Sequence, residues 1–209
     1  MSGDGLSAAA AVSDVRDDER DPGGEVKGED SDTTQRREGP SVEELAEVLH
    51  SAPHSCRHAD EVWPNLYLGD MYISHDRFGL WQLGITHVLN AAHGKLCCKG
   101  SDDYYGTTVA YYGVPASDLP TFDLSPFFYP AAQFIDQALA SGGKVLVHCA
   151  VGVSRSAAVV LAYLMIHHHL SLLASVRVVL QSRWIFPNRG FLRQLIDLDQ
   201  KLQRERSSD

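Results

Sequence analysis

From residue 41 onward, short apolar runs alternate with longer stretches whose apolar residues recur every three or four positions. The short runs are rich in β-branched and aromatic residues and end at turn residues, which is typical of strands. They predict strands near residues 66–69, 85–92, 108–114 and 144–148. The residues just before the first of these strands are predicted to form a loop that leads into it.

The stretches with helical spacing begin at capping residues. Ser41, followed three residues later by Glu44, forms a capping-box pattern, and Ser171 is predicted to cap a later helix. Ser125 is predicted as a further cap, with Pro126 at the first position of its helix. The predicted helices cover residues 41–50, 74–84, 125–143, 155–168, 171–183 and 189–203. Strands that alternate with helices favour an α/β domain whose sheet is covered by helices on both faces.

Residues 1–40 differ from the rest of the chain in composition. They contain no Phe, Trp or Tyr, and eleven acidic against five basic residues give them a net charge of −6. Such a segment cannot bury enough apolar surface to offset the entropy lost on ordering it, so we predict a disordered acidic tail. The predicted organisation is this tail, a capped helix and linker at residues 41–58, a folded domain at 59–204 and a C-terminal tail at 205–209.

Charge and hydropathy narrow the classes of function. Residues 41–209 carry a net charge of only −3, whereas nucleic-acid binding needs a basic face. No apolar run approaches the roughly 20 residues that a membrane-spanning helix needs. The four cysteines (Cys56, Cys97, Cys98 and Cys149) are not spaced as a disulfide framework, and no signal-peptide pattern is visible. We therefore expect no nucleic-acid or membrane partner, and a cytoplasmic protein with the nucleus as a second location.

The stretch HCAVGVSRS, residues 148–156, joins the last predicted strand to a helix. A loop at a helix N-terminus can aim several backbone N–H groups at one anion, and Gly152 allows a turn that a side chain would obstruct. Arg155 offers a planar fork that suits two phosphate oxygens, and the same positive field would favour the thiolate of Cys149. The spacing therefore predicts a nucleophile, then a phosphate cradle, then an arginine clamp. The cradle residues are Ala150, Val151, Gly152, Val153 and Ser154.

Attack of a thiolate on a phosphate ester also requires a general acid that protonates the leaving oxygen. Asp118 and Asp123 both lie in the loop after the strand predicted at 108–114. Asp123 stands two residues before the predicted cap Ser125, where a capping role competes, so position favours Asp118 and leaves both open. The Ser156 hydroxyl could bond the thiolate and ease its departure, or could cap the helix.

Simpler explanations exist for several reactive side chains. An isolated cysteine at a strand end is usually inert packing, and only the glycine and arginine that follow Cys149 argue otherwise. Three histidines at 167–169 end a predicted helix, where they complement its dipole more simply than they bind metal. The stretch HSCRH, residues 54–58, lacks the second ligand cluster of a closed zinc site. We therefore expect no metal site.

HCAVGVSRS matches the His-Cys-x5-Arg-Ser signature of the protein tyrosine phosphatases, and VLVHCAVGVSRSAAVVLAYLM resembles their dual-specificity branch. The resemblance extends over roughly residues 59–203, through EVWPNLYLGD, LGITHVLNAAH, GVPASDLPTFDLS and FPNRGFLRQL. Within that branch the chain is similar to the small atypical dual-specificity phosphatases. The resemblance implies a phosphatase-type central mixed sheet of about five strands flanked by helices, and it makes residues 59–204 a catalytic domain.

By matched position, the resemblance implies that Cys149 is the nucleophile, Arg155 the phosphate clamp and Asp118 the general acid. Ser156 would assist hydrolysis of the intermediate, and Asn188 and His148 would support the phosphate-binding loop. The implied activity is hydrolysis of phosphotyrosine and phosphoserine or phosphothreonine in proteins through a phosphocysteine intermediate. No metal and no organic cofactor is implied.

The same resemblance suggests phosphorylated proteins as partners, with signalling kinases as candidates, and a monomer or weak homodimer. The alternative is a phosphoprotein- or kinase-binding scaffold whose signalling role does not need catalysis. The chain departs from many relatives after the arginine. It has Ser156-Ala157-Ala158-Val159 where they have Ser-Ala-Thr-Leu, so it lacks one hydroxyl near the loop.

Overall fold

Five strands form one mixed sheet in the computed structural model, which describes residues 39–95 and 100–208. They are β1 (Ala59–Trp63), β2 (Leu66–Gly69), β3 (His87–Asn90), β4 (Ala110–Gly113) and β5 (Val145–His148). Their order across the sheet is β1-β2-β5-β3-β4, with β1 antiparallel to β2 and the other neighbours parallel. The mixed sheet of about five strands is confirmed, and β5 lies at its centre.

Helices cover both faces of the sheet, as expected. They are α1 (Val42–Ser51), α2 (Met71–His75), α3 (Arg77–Leu83), α4 (Asp102–Tyr105), α5 (Ser125–Ala140), α6 (Arg155–His167), α7 (Leu172–Leu180) and α8 (Arg189–Arg206). The larger hydrophobic core holds the buried side chains of α1 and α5 to α8. A smaller core on the opposite face takes Leu80 from α3 and Tyr105 from α4.

The central strand shows how one short segment serves both cores. Val145 and Val147 belong to the larger core, and Leu146 between them belongs to the smaller one. Successive strand side chains point to opposite faces, so a run of apolar residues is needed wherever both faces are covered. The position of Cys149 directly after this strand is therefore fixed by packing on both sides of the sheet.

The sequence predicts a loop where the structure has β1, and this prediction is wrong. Asp60 and Val62 are the buried positions of the strand, and Asp60 forms an ion pair with Arg183. Acidic residues are depleted in strands, so a buried aspartate conceals the alternating pattern. The turn from β1 to β2 passes through Asn65 at φ 61°, a left-handed conformation that asparagine tolerates.

Most predicted caps are confirmed. The hydroxyls of Ser41 and Ser171 accept hydrogen bonds from the backbone N–H groups at the third positions of α1 and α7. Ser125 is not the cap of α5, because the capping position is Leu124, which makes no side-chain bond. Asp123 Oδ1 instead accepts hydrogen bonds from Ser125 N at 3.1 Å and Ser125 Oγ at 2.6 Å. A carboxylate is a stronger hydrogen-bond acceptor than a hydroxyl, so Asp123 and not Ser125 accepts the backbone N–H at the start of α5.

The structure describes the predicted C-terminal boundary but almost none of the predicted N-terminal tail. Helix α8 ends at Arg206, so the boundary expected at residue 204 falls inside a helix. The predicted acidic tail falls almost entirely on residues 1–38, which lie outside the described residues, as do residues 96–99 with two of the cysteines. Within the described ranges, no helix is long and apolar enough to cross a membrane.

Candidate active site

Cys149 follows β5 and faces the N-terminus of α6. Its side chain is only 2% exposed. The Gly152 N–H and the Ser156 hydroxyl both donate to Cys149 Sγ, each across 3.2 Å. Since two donors converge on a buried sulfur, this cysteine is not inert packing.

The electrostatic surroundings of Cys149 favour its anion. Burial by itself raises the pKa of the Cys149 thiol, because the thiolate would lose its hydration. Hydrogen bonds from the Ser156 hydroxyl and from the Ser156 and Gly152 backbone, together with the Arg155 charge, outweigh burial and hold this pKa below its ordinary value. The nucleophilic form is therefore available closer to neutral pH than in a free cysteine.

Residues 150–154 form the phosphate loop, whose carbonyl oxygens bond to groups outside the site. Ala150 O accepts a hydrogen bond from Met71 N at 3.1 Å, and Val153 O accepts one from Phe186 N at 2.9 Å. Because the C=O and N–H of a trans peptide point in opposite directions, outward carbonyls turn the loop N–H groups inward. The loop is thus built to bind an anion, as its sequence predicts.

Gly152 is required at its position. Its φ of 76° is left-handed, and a Cβ there would overlap the Gly69 carbonyl oxygen and lie 2.6 Å from Arg183 Nη2. Only glycine adopts this conformation without steric cost while allowing such close approach. The sequence predicts the tight turn at Gly152. It does not predict the two neighbours, Gly69 and Arg183, that leave no room for a side chain there.

Arg183 is the neighbour that the sequence does not reveal. Its side chain is 1% exposed, and it donates from Nε to Gly152 O at 2.9 Å and from Nη2 to Val151 O at 3.1 Å. It comes from the segment after α7, and no local pattern distinguishes it from a surface arginine. The signal that could identify it is its pairing with Asp60, 123 residues away in sequence.

Arg155 is the first residue of α6 and is also buried. Its Nη1 donates to Ala116 O at 3.3 Å, and its Nε lies 3.9 Å from Asp118 Oδ2. Among the described residues this Nε has no hydrogen-bond partner. A buried guanidinium N–H without an acceptor is costly, and phosphate oxygens are acceptors that fit its fork.

Asp118 lies beside the phosphate loop and is 38% exposed on its side chain. Its Oδ1 accepts hydrogen bonds from Ser154 Oγ at 2.7 Å and from Asn188 Nδ2 at 2.9 Å. Asn188 also caps α8 and donates its backbone N–H to Ser154 Oγ at 3.1 Å. The Asp118 carboxylate is therefore held beside the phosphate loop, whereas the Asp123 carboxylate bonds to Ser125 at the start of α5.

A cavity of about 290 Å³ lies over Cys149. Beside Asp118 and Arg155, its wall contains Trp184 and Phe186. Helix α1 and the linker after it hold these two aromatic side chains in place. The Trp184 indole N–H donates to Leu49 O at 3.1 Å, and the rings of His54 and His50 pack on Trp184 and Phe186.

His148 is fully buried directly before the nucleophile. Burial lowers the pKa of His148 to about 4, so its imidazole is neutral at physiological pH. Its Nδ1 lies 3.4 Å from the carbonyl oxygen of Cys149. The neutral ring can therefore support the backbone at Cys149 without adding a charge beside the thiol.

The other histidine-rich segments make ordinary structural contacts. His167 pairs with Asp136 at 3.4 Å, and His168 bonds to the Tyr163 hydroxyl at 2.8 Å. Within residues 39–95 and 100–208, no three His, Cys, Asp or Glu side chains are grouped so that they could hold a metal ion.

Comparison with known proteins identifies the family of this chain. Residues 66–201 match the family model of the dual specificity phosphatase catalytic domain. The chain is also 53% identical over 166 residues to human dual specificity protein phosphatase 26, and the match covers 78% of each chain. The chain belongs to the atypical dual-specificity phosphatase family. As a family member it is a dual-specificity protein phosphatase, which confirms the activity expected from the sequence.

Solved structures of other family members have the same fold. Human DUSP28 gives a TM-score of 0.64 at 32% identity, over 73% of this chain and 99% of that one. The human tyrosine phosphatase-like serine/threonine/tyrosine-interacting protein gives 0.64 at 31%, over 70% and 99%. The family model matches only from residue 66, so it does not cover α1, the linker or β1, whereas the 166-residue match to the human relative is longer.

Proposed function

We propose that Cys149 is the nucleophile of this phosphatase and that Arg155 and the phosphate loop bind the substrate phosphate. The thiolate attacks phosphorus while the bond from phosphorus to the substrate oxygen breaks, and Asp118 in its acid form gives that oxygen a proton. The products of this step are the free hydroxyl of the substrate and a phosphocysteine. The observation that carries the proposal is a buried, hydrogen-bonded thiol with Asp118 and Arg155 on the wall of the same cavity.

The second half of the reaction regenerates the thiolate. Water attacks the phosphocysteine, Asp118 takes the proton that this water loses, and Cys149 Sγ leaves as an anion. The Ser156 hydroxyl, 3.2 Å from Sγ, donates a hydrogen bond that stabilises the departing thiolate. Ser156 therefore has a role in catalysis as well as its place in the first turn of α6.

The substrates that fit this reaction are phosphorylated proteins, and signalling kinases are candidates among them. We propose that the enzyme acts as a monomer or weak homodimer in the cytoplasm, with the nucleus as a second location. Within the atypical branch, we propose that it is most like the skeletal-muscle member, on the likeness that extends over roughly residues 59–203. Detection of the transcript in skeletal muscle would test the likeness to the muscle member. Imaging of the tagged full chain there would test its location.

The catalytic proposal is tested by comparing Cys149→Ser with Cys56→Ser, a change at an exposed free cysteine. Hydrolysis of phosphotyrosine and phosphothreonine peptides should fall by about 10⁴-fold or more in Cys149→Ser, since the nucleophile is lost. Cys56→Ser should hydrolyse both peptides at the wild-type rate. Equal rates in Cys149→Ser and wild type would refute the proposal.

A binding role that does not need catalysis is the second candidate. Large aromatic side chains on α2 and α3, those of Tyr72, Phe78 and Trp81, are more than 60% exposed. Exposed aromatic groups are typical of protein interfaces. If Cys149→Ser restores the cellular phenotype of a deletion and Trp81→Ala does not, binding is the required function.

A further inference from the structure

One buried side chain from outside the phosphate loop, that of Arg183, donates to two of its carbonyl oxygens. Its Nε and Nη2 donate to the carbonyl oxygens of Gly152 and Val151 at 2.9 and 3.1 Å. Two consecutive peptide groups of the loop are therefore held by one guanidinium. The carbonyls of Ala150 and Val153 are held by backbone N–H groups, which side-chain substitution leaves in place.

The peptide group between Val151 and Gly152 links Arg183 to the nucleophile. Its C=O accepts from Arg183, and its N–H donates to Cys149 Sγ at 3.2 Å. Because this group is planar, holding the oxygen outward also fixes the N–H inward. A flipped peptide would instead present a carbonyl oxygen to a thiolate and a phosphate, which are both negative.

Arg183 is itself anchored from a third direction. Its Nη1 donates to Asp60 Oδ2 at 2.7 Å and to Arg57 O at 2.6 Å, and the Asp60 side chain is 3% exposed. The guanidinium thus spans the linker, β1 and the phosphate loop. A planar fork with five N–H groups can make these bonds at once, whereas the ammonium of lysine is a single compact point charge.

We propose that Arg183 is a positioning residue for catalysis, which sets the orientation of the Val151–Gly152 peptide and thereby stabilises the Cys149 thiolate. This role rests on Cys149 being the nucleophile. It also gives β1 and the linker, which precede the residues matched by the family model, an effect on the reactivity of the thiol.

The test is the pH dependence of Cys149 alkylation by iodoacetamide, followed by peptide mass spectrometry on the full chain. In Arg183→Lys, which keeps a positive charge near Asp60, we expect the midpoint to rise by about one pH unit. Alkylation at pH 6 should then fall roughly 10-fold. We also expect kcat to fall more than KM rises.

Arg206→Lys is the matched control. Arg206 likewise donates to two carbonyl oxygens, those of Met165 and His169, at 2.7 and 3.0 Å. Met165 lies near the C-terminal end of α6 and His169 follows that helix, so this variant should lose two bonds to carbonyl oxygens at an exposed position and keep the wild-type alkylation profile. An unshifted midpoint in Arg183→Lys would overturn the proposal.

A second variant covers the case in which Arg183→Lys does not fold. The double change Asp60→Asn and Arg183→Gln replaces the two buried charges by neutral amides. Arg57, which also pairs with Asp60 at 3.0 Å, is 86% exposed, so its charge remains in solvent. The double variant should show the same rise in the alkylation midpoint, and a wild-type midpoint in this folded variant would equally overturn the proposal. Alkylation needs no turnover, so a wild-type chain with a reactive thiol but no phosphatase activity would refute the proposed function alone.

Discussion

The nucleophile and the proposed acid are held in opposite ways. Cys149 is 2% exposed, and its donors come from a continuous segment, residues 149–156. Asp118 is 38% exposed, and its donors are side chains from the phosphate loop and from the start of α8. The donors to the thiol are close to it in sequence, and the donors to the acid are side chains that are distant from it in sequence.

This difference indicates where the enzyme can be adjusted. Most substitutions leave the backbone N–H donors to the thiol in place. The surroundings of the thiol are therefore sensitive to substitution mainly at Ser156 and Arg183, which act through their side chains. The acid depends on Ser154 and Asn188, either of which a single substitution can replace. We therefore expect protonation of the leaving group to be easier to alter than formation of the thiolate.

The largest expected effect is on the acid itself. Asp118→Asn removes the proton donor and keeps an oxygen that can accept from Ser154 and Asn188. Hydrolysis of phosphate esters with poor leaving groups should fall by about 10³-fold, and esters with good leaving groups should be affected much less. Steady-state rates on a series of aryl phosphates measure this difference.

Asp123→Asn is the control, because Asp123 is the other carboxylate of the same loop and contacts Ser125. It should keep activity on every ester in the series and change only the stability of α5. A uniform loss across the series for Asp118→Asn would show that Asp118 is not the acid.

The next effect concerns stability around the thiol. The folded pKa of His148 is about 4, below its ordinary value of 6.5. Between these values the unfolded chain binds a proton that the folded chain excludes, so stability is lost as pH falls through this window. The loss approaches roughly 3 kcal/mol at pH 4.

Urea unfolding at pH 7.5 and pH 4 measures this loss, with His148→Gln as the reference that does not titrate. The free energy of unfolding should fall less in His148→Gln than in the wild type over this range. The same fall in both proteins would mean that other groups account for it.

A smaller effect is expected from the one side-chain hydroxyl that contacts the thiol. Ser156→Ala removes the 3.2 Å contact to Sγ, which is a bond to a charged group in the second step. Loss of such a bond costs about 2 kcal/mol, or roughly 30-fold in rate. Pre-steady-state kinetics should show a burst of phenol release followed by slow turnover, and a variant without a burst would contradict the proposed role in hydrolysis.

The smallest effect tests the support of the acid. Asn188→Ser keeps a residue that can cap α8 but removes the Nδ2 donor to Asp118. Loss of one hydrogen bond should raise the activation free energy by about 1 kcal/mol, which lowers kcat roughly 5-fold. The loss should appear for poor leaving groups and disappear in an Asp118→Asn background. If the two losses were additive in the double variant, Asn188 would not act through Asp118.

Local patterns account for the parts of the molecule that could be predicted. The strand, cysteine, glycine and arginine of residues 145–155 are continuous in sequence, so their period and spacing predicted the loop and its anion-binding geometry. The residues alone did not choose between Asp118 and Asp123, because Asn188, which bonds to Asp118, is 70 residues away. Asp60 and Arg183 were missed for the same reason, since their pairing spans 123 residues.

The indole of Trp184 bonds to the end of α1, a helix that precedes the residues matched by the family model. An assay on residues 66–201 alone would therefore measure a pocket that lacks the support of one wall. It follows that changes in α1 can reposition Trp184 in the wall of the cavity without altering any residue that lines it. Differences of this kind would be invisible to any comparison restricted to the signature motif.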